Sequence, residues 1–140
     1  MATHRETFTV DTTGEGQAID ITDRVARAVR ASGLKEGIGC VFAGGSTCAI
    51  TANEFEPGLM ETDIPAALER LFPKGIRYGH EERWHDGNGH SHVRSAFLGP
   101  SFTFPVGGGK PLLGRWQQIV LFELDTRSRT RELTVQLVGE

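Results

Sequence analysis

Short alternating runs punctuated by small groups of glycine constrain this chain more than any other feature of its sequence. Glycine supplies 18 of the 140 residues and gathers at Gly14/Gly16, Gly37/Gly39, Gly44/Gly45, Gly87/Gly89 and Gly107–Gly109. Glycine reaches positive φ without a Cβ penalty, so these groups mark tight turns rather than a linker. Between them lie runs of period two. Residues 7–11 put Phe8 and Val10 on one face, and residues 37–42 form a short apolar strand. A glycine turn at Gly44-Gly45-Ser46-Thr47 leads into a second strand ending at Asn53-Glu54. Residues 101–106, 116–124 and 130–138 continue the pattern, the last with Leu133, Val135 and Leu137 pointing inward, and Gly107 to Pro111 makes a hairpin connection.

Two stretches carry helical signals instead. Asp20 or Thr22 can cap a helix running to about Ser32, with Val25, Ala28 and Val29 on one side and Gly33 as its stop. After a loop at residues 55–61, Asp63 is placed to cap a second helix. That helix carries Ile64, Ala67, Leu68 and Leu71 on its buried stripe and ends at Pro73. Seven or eight strands and two main helices, segregated rather than alternating, predict a single α+β domain over residues 1–140 with a mostly antiparallel sheet.

Apolar residues at 38% and charged residues at 24% are ordinary for a soluble globular domain. The net charge of −3 argues against a nucleic-acid partner, which requires a basic surface to release counterions. The basic run Arg127, Arg129 and Arg131 is diluted by Asp125 and Glu132 and reads as a solvated turn and strand start. No 18-residue apolar run occurs and the first ten residues lack an apolar core, so a cytoplasmic protein without a membrane partner is expected. Cys40 and Cys48 are then reduced thiols among small apolar neighbours, suited to packing.

Residues 80–101 hold four of the five histidines: His80, His85, His90 and His92. Imidazole titrates near neutral pH and is the commonest metal ligand. Asp86-Gly87-Asn88-Gly89 is turn chemistry, and the following ten residues read as a strand. On a strand His90, His92 and Arg94 share one face, which suits a metal, an anion or a metal-bound phosphate. The same spacing also describes a solvated polar face. Glu123 falls in phase with Ile119 and Leu121, so its carboxylate should meet Arg, His, a metal or water.

Several fragments together resemble the YjbQ-like family, whose members are often described as secondary thiamine-phosphate synthase enzymes. They are G-S-T-C-A-I-T-A-N-E, the later Asp63, the isolated His80, S-H-V-R-S-A-F-L-G-P-S, L-G-R-W-Q-Q-I and the terminal R-x-R-x-L-T-V-Q-L-V-G. Their order and spacing match from about Thr7 onward. The resemblance implies an α+β homotrimer with polar residues gathered in clefts between subunits. By position these are Asn53, Glu54, Asp63, His80, His92, Ser95, Gly99, Gly114, Trp116, Gln117 and Glu123. It also implies a weak thiamine-phosphate synthase activity, hence a transferase. One position departs: most relatives carry histidine where this chain has Gly45. His90 is the candidate to substitute for it; the alternative is that the Gly44-Gly45-Ser46-Thr47 turn presents backbone N–H groups and two hydroxyls to an anion, against the commoner reading of a plain turn.

The site expected from these signals has His92, His80 and Glu54 as catalytic groups. Arg94, Ser46, Thr47, Asn53 and Ser95 contact a small phosphorylated molecule, with Arg115 a further candidate phosphate contact. His80, His90 and His92 would hold a divalent metal, Zn²⁺ or Mg²⁺. Trp116 and Gln117 are expected to pack the sheet. The alternative is a non-catalytic metal- or anion-binding homotrimer.

Overall fold

The computed structural model describes residues 1–140. Strand β1 (Ala2–Asp11) and the short β2 (Ala18–Asp20) precede helix α1 (Thr22–Ser32). Strands β3 (Glu36–Ala43) and β4 (Cys48–Asn53) follow. A π-helical stretch (Leu59–Asp63) leads into α2 (Ile64–Leu71), and α3 (Gly79–Trp84) and α4 (Gly89–Leu98) come next. Strands β5 (Ser101–Gly107), β6 (Lys110–Pro111), β7 (Gln118–Glu123) and β8 (Thr130–Gly139) complete the chain. The strands form two sheets, ordered β1-β8-β3-β5-β6 and β2-β7-β4, with every pairing antiparallel. The α+β expectation holds, with eight strands and four helices.

Alternation decides how the layers stack. On the larger sheet Phe8, Val41, Phe104, Leu133, Val135 and Leu137 point inward and meet Ile50, Ile119 and Leu121 of the smaller sheet and Val25, Ala28 and Val29 of α1. The other face of the smaller sheet, with Ala49, Val120 and Phe122, packs on Met60 and Leu68. Strand β7 is therefore buried on both faces, as its near-continuous apolar run IVLF permits. Fully burying each such side chain stabilises the fold by roughly 1.5–3 kcal/mol.

Helix α1 ends as predicted, with Gly33 at φ 74° and its N–H on the Arg30 carbonyl. Asp20 Oδ1 accepts from the Thr22 N–H and hydroxyl, at 2.9 and 2.6 Å, just ahead of the first turn. Asp63 does not cap α2. It lies inside a helical run already under way, exposed and without a side-chain bond to the first-turn amides. The run widens to π geometry there, the Ile64 N–H reaching back to the Leu59 carbonyl, one residue before Pro65, which has no N–H to give.

The main correction concerns residues 89–98, which form helix α4 and not a strand. His90, Ser91, Arg94 and Ser95 are its buried positions, a helical and not a two-residue spacing. Of its ten residues only Val93 is β-branched, while Arg94, Ala96 and Leu98 are good helix formers. Trp116 is also displaced from expectation: it stands 64% exposed in the turn before β7, with the Arg115 guanidinium over its ring. Gln117 closes that turn by accepting from the Gly114 N–H, at 2.7 Å.

Candidate functional site

Helix α4 lies against the start of β4, and the Ser95 hydroxyl fixes it there by donating to the Cys48 carbonyl, at 2.6 Å. Between helix and strand opens a groove of about 600 Å³, lined by residues 42–46 on one side and His92, Ser95, Ala96 and Pro100 on the other. Gly44, Gly45 and Ser46 of the glycine turn belong to the first of these walls, while Thr47, next along, is buried. The Gly44 N–H is used, donating to the Glu132 carbonyl. The N–H groups of Gly45, Ser46 and Thr47 have no acceptor within the chain. Consecutive free amides in a turn are the usual backbone device for receiving an anion.

At one end of the groove the His92 ring lies 4.4 Å from the His80 ring, centroid to centroid. Burial, and then the neighbouring His80, pushes His92 below the ordinary imidazole value, so it is neutral at pH 7. His80 Nε2 sits 3.3 Å from Asp86 Oδ1. Asn88, at the head of α4, joins this pair to the interior. In one orientation its amide donates to Asp125 Oδ1 at 3.3 Å. Turned over, it donates to Asp86 Oδ1 at 2.8 Å and to His80 Nε2 at 3.2 Å.

Beneath the turn lies a buried charge network. Glu123 is fully buried and meets an arginine, as the cost of an unpaired carboxylate requires. Arg131 Nε and Nη2 clasp its two oxygens, and the Thr12 hydroxyl donates to Oε2. Arg131 Nη2 also reaches the Thr47 carbonyl at 3.0 Å and hydroxyl at 2.8 Å. Burial alone would raise the Asp125 carboxyl, but Arg129, the Thr126 N–H, Thr47 and Asn88 hold it well below the usual carboxylate range. Burial raises the Cys48 thiol, consistent with a packed core cysteine.

The structure brings together His80, His92, Ser46, Thr47 and Ser95, but with a division of labour. The Thr47 hydroxyl is engaged between Asp125 and Arg131, and that of Ser95 is held by Cys48, leaving Ser46 the free exposed hydroxyl. His90 does not join His92. Two residues along a helix point to different sides, and its ring is buried against Glu15. It therefore stands apart from the His80–His92 pair, and no three His, Cys, Asp or Glu side chains form a ready metal set. Arg94 also faces away, bonding Glu69 Oε2 at 2.8 Å and the Phe72 carbonyl. It ties α4 to α2 rather than lining the groove. Asn53 and Glu54 are exposed at the far end of β4, six residues from Thr47, which is roughly 20 Å of strand.

Arg131 and Asp125 were not expected in the site, yet a signal existed. Arg131 is in phase with Leu133, Val135 and Leu137, so the alternation of β8 turns it inward. The basic run is thus no solvated strand start: Arg129 and Arg131 pair with Asp125 and Glu123.

Two antiparallel sheets flanked by short helices, with a groove between a glycine turn and a histidine-bearing helix, define the class of domain. A family model described as UPF0047 protein YjbQ-like matches residues 6–140, and the chain belongs to that family. It is 38% identical over 140 residues to a UPF0047 protein of Methanothermobacter thermautotrophicus, covering all of this chain and 95% of that one. Among solved structures it is similar to a YbjQ-like protein from Sulfolobus solfataricus P2, with TM-score 0.85, 39% identity and coverage of 98% and 100% of the two chains. A hypothetical protein from Aeropyrum pernix K1 superposes with TM-score 0.87 at 34% identity over the whole of both chains.

Proposed function

We propose that this chain is an enzyme acting on a small phosphorylated molecule, seated in the groove between the Gly44–Thr47 turn and α4. The observation that carries the reading is that a neutral His92 and the free Ser46 hydroxyl line one groove with a glycine turn in which three consecutive amides have no acceptor. The amides offer donors to phosphate oxygens, and His92 offers a proton acceptor beside them. His80, braced by Asp86, sits where it can relay or orient that proton.

The finer form of the proposal is a transferase of the thiamine-phosphate synthase type. There a thiazole nitrogen forms a C–N bond to an aminopyrimidine methylene carbon while the C–O bond to pyrophosphate breaks. The pyrophosphate leaves with the bonding electron pair, so its charge needs donors and cations. A divalent ion, Zn²⁺ or Mg²⁺, would supply part of that charge, but no three His, Cys, Asp or Glu side chains are grouped to hold one, so the donors this chain itself offers are the turn amides. The protein works as a homotrimer in this reading. The exposed Phe42, Phe97 and Leu98 beside the groove, and the remote exposed Asn53-Glu54, suit a site completed by a second copy.

Turnover of the two thiamine precursors, and of a panel of phosphate monoesters, should appear with wild type and vanish with His92→Ala. No turnover together with no binding of any phosphorylated compound would sink the reading. Light scattering should give a particle three times 15.3 kDa.

The adjacency of the His80 and His92 rings favours one rival, a non-catalytic metal- or anion-binding homotrimer. Elemental analysis of wild type and His92→Ala, with chelation followed by light scattering, separates the two. An assembly that falls apart when metal is removed, with no turnover before removal, supports the rival.

A further inference from the structure

Arg131 uses only part of its guanidinium on the network beneath the turn. Nε and Nη2 make every bond the side chain has, to Glu123 and Thr47, and Nη1 has no partner in the chain. The side chain is only 9% exposed, yet Nη1 is not sealed from solvent. A Cβ built on Gly45 would stand 2.7 Å from Nη1 and 3.2 Å from Cys48 Sγ. Gly45 itself lines the groove. The free edge of the guanidinium therefore lies against the empty Cβ position of Gly45, the one residue type whose missing side chain leaves room for it. The N–H groups of Gly45, Ser46 and Thr47 lack acceptors, and Thr47 is buried. A buried backbone N–H without a partner is rare enough to require an explanation.

We propose that Gly45, Ser46 and Thr47, through their N–H groups, and Arg131, through Nη1, form an anion subsite that takes the phosphate group of the substrate. Gly45 is its specificity-determining position. This rests on the phosphorylated-substrate reading and names the atoms that would do the recognising. The turn is held at a fixed distance from the guanidinium because Arg131 Nη2 already bonds both Thr47 oxygens. The Glu123 carboxylate neutralises the guanidinium charge on the buried side, so the outer edge acts through its N–H donors rather than as an uncompensated ion. Any side chain at position 45 must displace Nη1, and Nη1 cannot swing away without breaking the clasp on Glu123.

The test is titration of wild-type protein and Gly45→Ala with inorganic phosphate, followed by calorimetry and by the backbone amide resonances of ¹⁵N-labelled protein. In wild type the Gly45, Ser46 and Thr47 amide signals should shift together and saturably. Gly45→Ala should bind phosphate roughly tenfold more weakly or worse, the loss that goes with removing one hydrogen bond to a charged group. If Gly45→Ala does not fold, the wild-type amide shifts decide alone. Phosphate binding that leaves those three amides unmoved, or that Gly45→Ala retains in full, overturns the subsite while the phosphorylated-substrate reading stands. No phosphate binding by wild type overturns the subsite, and turnover of the phosphorylated panel then decides separately whether that wider reading survives.

Discussion

At the scale of single residues, the chemistry of this domain is set by which polar groups are free and which are already engaged. His92 is free, and its environment disfavours the charged form, first by burial and then through His80. Its folded value lies below that of an unfolded histidine, about 6.5, so the neutral ring is bound preferentially by the fold. The stability it contributes is complete above about pH 6.5 and is lost as the pH falls through the folded value. An imidazole proton titration followed by NMR should place the His92 midpoint below that of a free histidine. In His80→Ala it should move upward, since one of its two lowering influences has gone. A midpoint at or above the ordinary value in wild type would contradict this account. Glu123 is the opposite case, a carboxylate fully engaged by Arg131, Thr12 and the Asp125 N–H. Glu123→Ala strands a buried guanidinium and should cost about 3–5 kcal/mol, read from the denaturant midpoint.

Among the elements, α4 does most to shape the groove, and three of its side chains each tie it to a different part of the fold. His90 reaches Glu15 before β2, Arg94 reaches α2, and Ser95 reaches the first residue of β4. Ser95→Ala removes the bond to the buried Cys48 carbonyl and should destabilise by roughly 1–3 kcal/mol. Val93→Pro tests the helix. Inside a helix it removes an i→i−4 bond and clashes with the preceding turn, costing about 3 kcal/mol or more. Chemical denaturation of the variant measures that cost; a change well under 1 kcal/mol would contradict the helix. Much of the fold around α4 was legible. The glycine stop of α1 and the alternation of β8 are local features, and they predicted their elements; the N-cap of α1 falls on Ile21, between the two candidates Asp20 and Thr22. The segment 89–98 was misread because three polar residues at two-residue spacing imitate a strand face. The helix is revealed by the partners that bury His90, Ser91, Arg94 and Ser95, and those partners are distant in the sequence.

For the whole molecule, the two sheets are joined at their edge by charge as well as by apolar packing. Asp125 links Thr47 and Arg129, so the glycine turn and the approach to β8 meet on one carboxylate. Its value in the fold lies below that of an unfolded aspartate, about 3.9. The charged form is therefore bound preferentially by the fold. Its contribution is complete above about pH 4 and fades as the pH drops below that. Wild type should lose stability steeply in acid, and Asp125→Asn should be less stable at neutral pH with a flatter dependence below pH 4. Denaturant midpoints across pH 2–7 provide the check, and parallel curves for the two proteins would remove Asp125 from this role. No helix is long and apolar enough to cross a membrane.

The sequence by itself determined the fold class, the family and most of the strands, because period, glycine position and short motifs are local in the chain. It also pointed to His92, Ser46 and Ser95, which line the groove, and to His80, whose ring packs against His92. Only the tertiary structure decided which of the histidines stand together, since a helix in place of a strand turns His90 away from His92. It likewise decided that Arg94 is a tether and that Arg131, some eighty residues after the glycine turn, lies behind Gly45. Those juxtapositions come from how β8, β4 and α4 pack. Packing depends on all the apolar faces at once, and no local stretch of sequence records it.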